Sequence, residues 1–116
     1  PTDSTMETAM RLALDDAAVT AADIGYINAH GTATDRGDIA ESQATARIFG
    51  SNTPISSLKS YLGHTLGACG AIESWASIHM MQDDWFAPTL NLTQPDTACG
   101  ELDYIMQQGR ELRRLP

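Results

Sequence analysis

Three helix-period patterns alternate with three short apolar runs along this chain, and that order constrains its fold more than any other feature. Ser4-Thr5-Met6-Glu7 has the form of a capping box. Met6, Met10, Ala13, Leu14 and Ala17 follow at helical spacing, so residues 4–18 are expected to form an amphipathic helix. Thr20 to Asp23 reads as a turn, and Ile24 to Ala29 as a buried strand ending at His30. Gly31 to Gly37 is a polar loop; Asp38 can cap a second helix running to Phe49, where Gly50 supplies the stop. Pro54 to Leu58 is the second strand, and its exit loop carries Lys59 and His64. A third helix is expected from Gly67 to Met81, with Ala68, Ile72, Trp75, Ala76 and Met80 on one face. An extended stretch, Ala87 to Leu92, and a short strand near Leu102 to Met106 complete the order. Such alternation implies an α/β fold with parallel strands joined by crossovers.

In sheets of this kind the ligand site lies outside the carboxyl ends of the strands. His30 and the Lys59–His64 loop are both placed there, each histidine beside a glycine. One histidine after a strand is usually structural; two at consecutive strand ends point to a site, and two imidazoles could hold an oxyanion. His79, inside the third helix, has no such context and reads as core or surface. A buried Lys59 needs a counter-charge, for which Glu41 and Glu73 are the candidates. Asp38 could accept a hydrogen bond in the same cluster. Thr32 and Thr34 flank Ala33, where their hydroxyls could bind a polar ligand chain or simply shape the turn. A zinc site from both histidines and a carboxylate is conceivable, but no HExxH-like spacing supports it, and no metal is expected. The glycines around His64 lack GxxxxGK[ST], which weakens any nucleotide-binding reading. No nucleophile travels with these groups.

A chain of 116 residues suffices for one small domain, and its net charge of −8 disfavours nucleic acid, which needs clustered Lys and Arg. Arg110, Arg113 and Arg114 read as a solvated tail. Cys69 and Cys99 match no metal-ligand or redox spacing, and Cys69 reads as a small buried residue at a helix start. Nothing resembles a signal peptide or a membrane span, so no membrane association and a reduced cytoplasmic setting are the expectation. A start at Pro1 and a stop at Leu115-Pro116 suggest a fragment.

His30-Gly31-Thr32-Ala33-Thr34 resembles the HGTxT motif of the β-ketoacyl-acyl-carrier-protein synthases. Gly37-Asp38 with Glu41 is similar to the family's GD…E continuation, and Lys59 with Gly63-His64 to its K…GH motif. The Gly67–Glu73 helix start and Ala87-Pro88-Thr89-Leu90-Asn91, similar to APTxN, extend the likeness from about Ile24 to Met106. The resemblance implies a thiolase-like fold, with residues 1–116 as most of the C-terminal half of a dimeric five-layer α-β-α-β-α architecture. It implies decarboxylative Claisen condensation, with no resident cofactor and with substrates carried on the phosphopantetheine of an acyl carrier protein. His30 and His64 would donate from Nε2 to the malonyl thioester carbonyl, each such donor being worth about 2.7–4 kcal/mol by analogy with other oxyanion holes. Lys59 would be electrostatic and structural, paired with Glu73 near Glu41 and Asp38. Thr32 and Thr34 would contact the pantetheine arm.

The family's nucleophilic cysteine belongs to an N-terminal half absent here, and neither Cys69 nor Cys99 matches its motif. The GFGGxN stretch would fall after Pro116. These residues alone are therefore expected not to catalyse condensation, and to aggregate through an exposed sheet face. The wording from Tyr61 to Gly70, with Trp75 and Trp85-Phe86, is closer to synthases of specialised polyene pathways than to the housekeeping enzyme. The competing expectation is a non-catalytic chain-length-factor-type subunit of a heterodimer. Retention of His30, His64 and Lys59 favours the catalytic one, and a thiolase would use a different Cys/His arrangement with coenzyme A.

Overall fold

The computed structural model describes residues 2–112. Helix α1 (Asp3–Ala17) is followed by a 3-10 turn (Ala21–Asp23) and strand β1 (Ile27–Asn28). Then come α2 (Asp35–Phe49), β2 (Pro54–Ser56), a short α3 (Lys59–Leu62), a 3-10 turn (Leu66–Ala68) and α4 (Cys69–Asp83). Strands β3 (Trp85–Phe86), β4 (Asp103–Tyr104) and β5 (Arg110–Glu111) end the described chain. The sheet has the order β1-β2-β4 and is parallel throughout, with Ile27 opposite Ile55 and Ile55 opposite Tyr104. The alternation expected from sequence is therefore an α/β fold. A separate antiparallel pair joins β3 to β5.

Leu58, Met80, Phe86 and Ile105 form a buried cluster, with Tyr26, Ala76, Ala87 and Leu112 packed against it. Met80 and Ala76 bring α4 onto one face of the sheet. On the other face, Ile39 and Ser42 of α2 share a cleft with Ile55, Leu102 and Tyr104. No helix among the described residues is long and apolar enough to cross a membrane.

Several boundaries depart from the sequence reading. The capping box of α1 is Thr2–Thr5, and not Ser4–Glu7: Thr2 Oγ1 accepts from the Thr5 N–H at 3.3 Å, and Thr5 Oγ1 from the Thr2 N–H at 3.2 Å. Glu7 is thereby released to face α2, where its carboxylate takes Arg47 Nε at 2.6 Å. The first strand is shorter than Ile24–Ala29, because Asp23 Oδ2 accepts the Thr20 N–H at 2.8 Å and winds residues 21–23 into a turn. Asp38 lies inside α2 and does not cap it; Thr34 stands at the N-cap. On α4 the inner line is Cys69, Glu73, Ala76 and Met80, whereas Trp75 is 64% exposed. A charged residue on the buried face disguised that face from an apolar-period reading.

Arg110 is no solvated tail: it lies in β5 and donates through Nη1 to Asp103 Oδ2 at 2.5 Å. Arg113 and Arg114 lie outside the described residues. Exposed apolar surface gathers on the outer side of α4 and the loop before it, at Leu66, Trp75, Ile78 and Met81. It is a helical face, because α4 itself covers the adjoining sheet. A helix apolar on both sides is the pattern of one packed between two layers.

Candidate active site

β1 and β2 run in parallel, so the segments leaving their carboxyl ends emerge side by side. His30 lies two residues past β1; Lys59 opens α3 just past β2; His64 follows α3 through Gly63. The two imidazole rings meet edge to face, with centroids 5.5 Å apart and planes at 85°. Both histidines are exposed, as a ligand requires.

Lys59 lies beneath them, its side chain only 6% exposed. Its ammonium reaches Glu73 Oε2 at 2.9 Å and Oε1 at 3.1 Å, and His30 Nδ1 at 3.1 Å. Three donors thus meet three acceptors, and the Glu73 carboxylate, 8% exposed, compensates the charge. Of the two candidate counter-ions, Glu73 is the partner; Glu41 is not.

The hydrogen bonds determine both tautomers. An ammonium has protons only to give, so His30 Nδ1 accepts and its proton resides on Nε2. His64 Nδ1 accepts the backbone N–H of Leu66 at 3.0 Å, so its proton also resides on Nε2. Two neutral N–H donors are therefore held on neighbouring rings by bonds to the opposite nitrogen of each.

Glu41 and Asp38 organise the loop that carries His30. Glu41 Oε1 accepts the His30 N–H at 2.7 Å, and Oε2 the Gly31 N–H at 2.9 Å. The next two backbone N–H groups, of Thr32 and Ala33, face the Asp38 carboxyl and favour its charged form. Four successive amides thus close onto two carboxylates of α2. Burial, and then the Glu41 charge, push the Asp38 carboxyl above its ordinary range against those backbone donors. Its Oδ1 is buried with no partner.

The hydroxyls of Thr32 and Thr34 bond each other at 3.1 Å. Both line a cleft of about 650 Å³ together with Asp38, Glu41, Lys59 and His64. All eight residues singled out in the sequence are thus gathered in one neighbourhood. No group of three His, Cys, Asp or Glu side chains placed to hold a metal ion occurs among the described residues.

Two contributors escaped the sequence reading. Asn28 Nδ2 donates to Glu73 Oε1 at 3.1 Å, helping to hold the carboxylate under Lys59. A polar side chain closing an apolar strand was its only signal. The Cys69 thiol, read as a small buried group, lies 3.2 Å from His64 Nδ1; nothing in its spacing announced that contact.

Gly31 is a tight point of the His30 loop. Its φ is +40°, and a Cβ there would lie 2.7 Å from Ser57 Oγ and 2.8 Å from Ser57 Cβ. Gly31→Ala is expected to lower stability by roughly 1–3 kcal/mol and to displace the loop. A denaturation midpoint equal to that of the unsubstituted protein would contradict this.

A family model described as the C-terminal domain of beta-ketoacyl synthase matches residues 1–93. The 3-oxoacyl-acyl-carrier-protein synthase 2 of Coxiella burnetii is 39% identical over 109 residues, which cover 91% of this chain and 26% of that protein. A beta-ketoacyl synthase from Burkholderia phymatum STM815 superposes with a TM-score of 0.94 at 65% identity, covering 97% of this chain and 28% of that one. A structure described as the ishigamide ketosynthase/chain length factor gives a TM-score of 0.91 at 34% identity, covering 97% and 28%. The chain spans about a quarter of the length of each of these relatives. The fold is that of the thiolase-like ketosynthases, and the residues correspond to their C-terminal domain.

Proposed function

This chain belongs to the β-ketoacyl synthase family, and from that premise we propose that it supplies the enolate-binding side of a decarboxylative Claisen condensation in fatty acid or polyketide synthesis. The observation that carries the reading is the pair of Nε2–H donors on His30 and His64, each with Nδ1 already occupied as an acceptor. The malonyl thioester, on the phosphopantetheine arm of an acyl carrier protein, places its carbonyl oxygen between the two donors. The bond from the methylene carbon to the carboxylate breaks, CO₂ leaves, and the electron pair moves onto the thioester as an enolate. Donors fixed in advance at that oxygen favour the developing charge over the ground state. The carbanion then attacks an acyl thioester on a cysteine outside these 116 residues, which departs as thiolate.

Lys59 positions the His30 ring through Nδ1, and Glu73 keeps the lysine charge compensated. Thr32 and Thr34, at the cleft, face the pantetheine arm. Substrates arrive as thioesters, so no resident cofactor is required, and the partners are an acyl carrier protein and a second synthase subunit. The remaining three quarters of the polypeptide cover the apolar side of α4 and provide the nucleophile; these residues alone do not condense.

A second reading is a chain-length-factor-type subunit, since the similar ishigamide structure is described as a ketosynthase/chain length factor, a description that names both kinds of subunit. One measurement separates the two: intact mass of the full-length protein after treatment with cerulenin, a cysteine-directed ketosynthase inhibitor. The expected result is one label on a cysteine outside this segment. An unlabelled protein with a different residue at that position would make it the non-catalytic partner.

A further inference from the structure

We propose that Cys69 is a positioning residue for His64, holding that imidazole in the tautomer and orientation the enolate requires; this rests on the function proposed above. Cys69 is the first residue of α4, and its side chain points back over the loop that precedes the helix. Its Sγ lies 3.2 Å from His64 Nδ1 and accepts from Thr65 Oγ1 at 3.5 Å. The hydroxyl proton directed at sulfur leaves the thiol proton free to point at Nδ1. That nitrogen already accepts the Leu66 N–H at 3.0 Å. Two donors converge on one ring nitrogen, one from the backbone and one from a side chain on a different element.

The consequence is steric and electronic together. Rotation of the His64 ring about its Cβ–Cγ bond would remove the acceptor from both donors at once. Protonation of Nδ1 would set a new N–H against the Leu66 N–H and the thiol. Cys69 is 6% exposed, so no bulk water competes for Nδ1 from that side. The backbone bond alone would leave the ring anchored at one point, free to pivot about it; the thiol supplies the second point. The titratable groups around His64 are His30 from the β1 loop, Lys59 of α3 bonded to His30, and Cys69 itself. Cys69→Ala leaves the first two in place.

The test uses the full-length protein carrying Cys69→Ala or Cys69→Ser, with CO₂ release from malonyl-acyl-carrier protein as one readout. Ring ¹⁵N shifts of His64, assigned with a His64→Ala variant, are the other. Cys69→Ala is expected to lower kcat about 3- to 10-fold with KM unchanged, because the lost contact orients a donor used in the transition state. His64 should then show mixed Nδ1–H and Nε2–H tautomers. Serine, which returns a donor of similar size, should restore both. Wild-type kcat and a pure Nε2–H tautomer of His64 in Cys69→Ala would overturn the proposal. If the unsubstituted protein releases no CO₂, the functional reading fails separately, and the tautomer measurement still decides the role of Cys69.

Discussion

Glu73→Ala is expected to destabilise the full-length protein by about 3–5 kcal/mol, the usual cost of stranding one member of a buried ion pair. The substitution removes both carboxylate bonds to Lys59 Nζ, at 2.9 and 3.1 Å, and the acceptor of Asn28 Nδ2. The stranded ammonium does not reach solvent easily, since the Lys59 side chain is 6% exposed. Water must then penetrate to solvate the stranded ammonium. The double variant Lys59→Met/Glu73→Leu removes both charges and keeps most of the volume. It is expected to melt near the unsubstituted protein while losing activity, because His30 Nδ1 then has no donor to hold its tautomer. Denaturation midpoints of the two variants decide the matter. A Glu73→Ala midpoint equal to wild type would show that the pair is not the buried support described here.

His30→Ala and His64→Ala are each expected to slow CO₂ release from malonyl-acyl-carrier protein by about 10²- to 10³-fold, the range measured when one preorganised oxyanion donor is deleted. The double variant should fall little further than the worse single one, since both donors serve one oxygen and act as a unit. Acylation of the cysteine elsewhere in the protein should persist, because neither imidazole is asked to activate it in this scheme. Loss of cerulenin labelling together with decarboxylation would mean that the histidines act on the nucleophile, contrary to the enolate role. Decarboxylation at the wild-type rate in either single variant would remove that histidine from the site.

The parts of this site that sequence exposed are those written locally. His30 and His64 each follow a short apolar run and adjoin a glycine, and a parallel sheet brings such loops to one edge. Lys59 was legible as a charge in need of a partner, because it falls directly after a strand that must be buried. What stayed hidden depended on side chains meeting across long separations. Glu73 pairs with a residue 14 positions away and Asn28 with one 45 away, and both distances are set only when α4 settles on the sheet. The face of α4 was misread for the same reason. Glu73 interrupts the apolar period on the buried side, and Trp75 supplies a false apolar position on the outer side. Strands β3 and β5, two residues each, carry no periodicity at all.

The sequence by itself determined the alternating α/β order, the family, and the residue types that gather at the strand ends. Those properties are carried by local spacing, which survives without knowledge of distant contacts. The tertiary structure alone decided the pairings: Glu73 and not Glu41 under Lys59, Glu41 and Asp38 on four loop amides, Cys69 on His64. Through those pairings it also decided which nitrogen of each imidazole carries the proton. A tautomer follows from the donor at the opposite ring nitrogen, and at His30 that donor is a lysine brought 29 residues back along the chain by the fold.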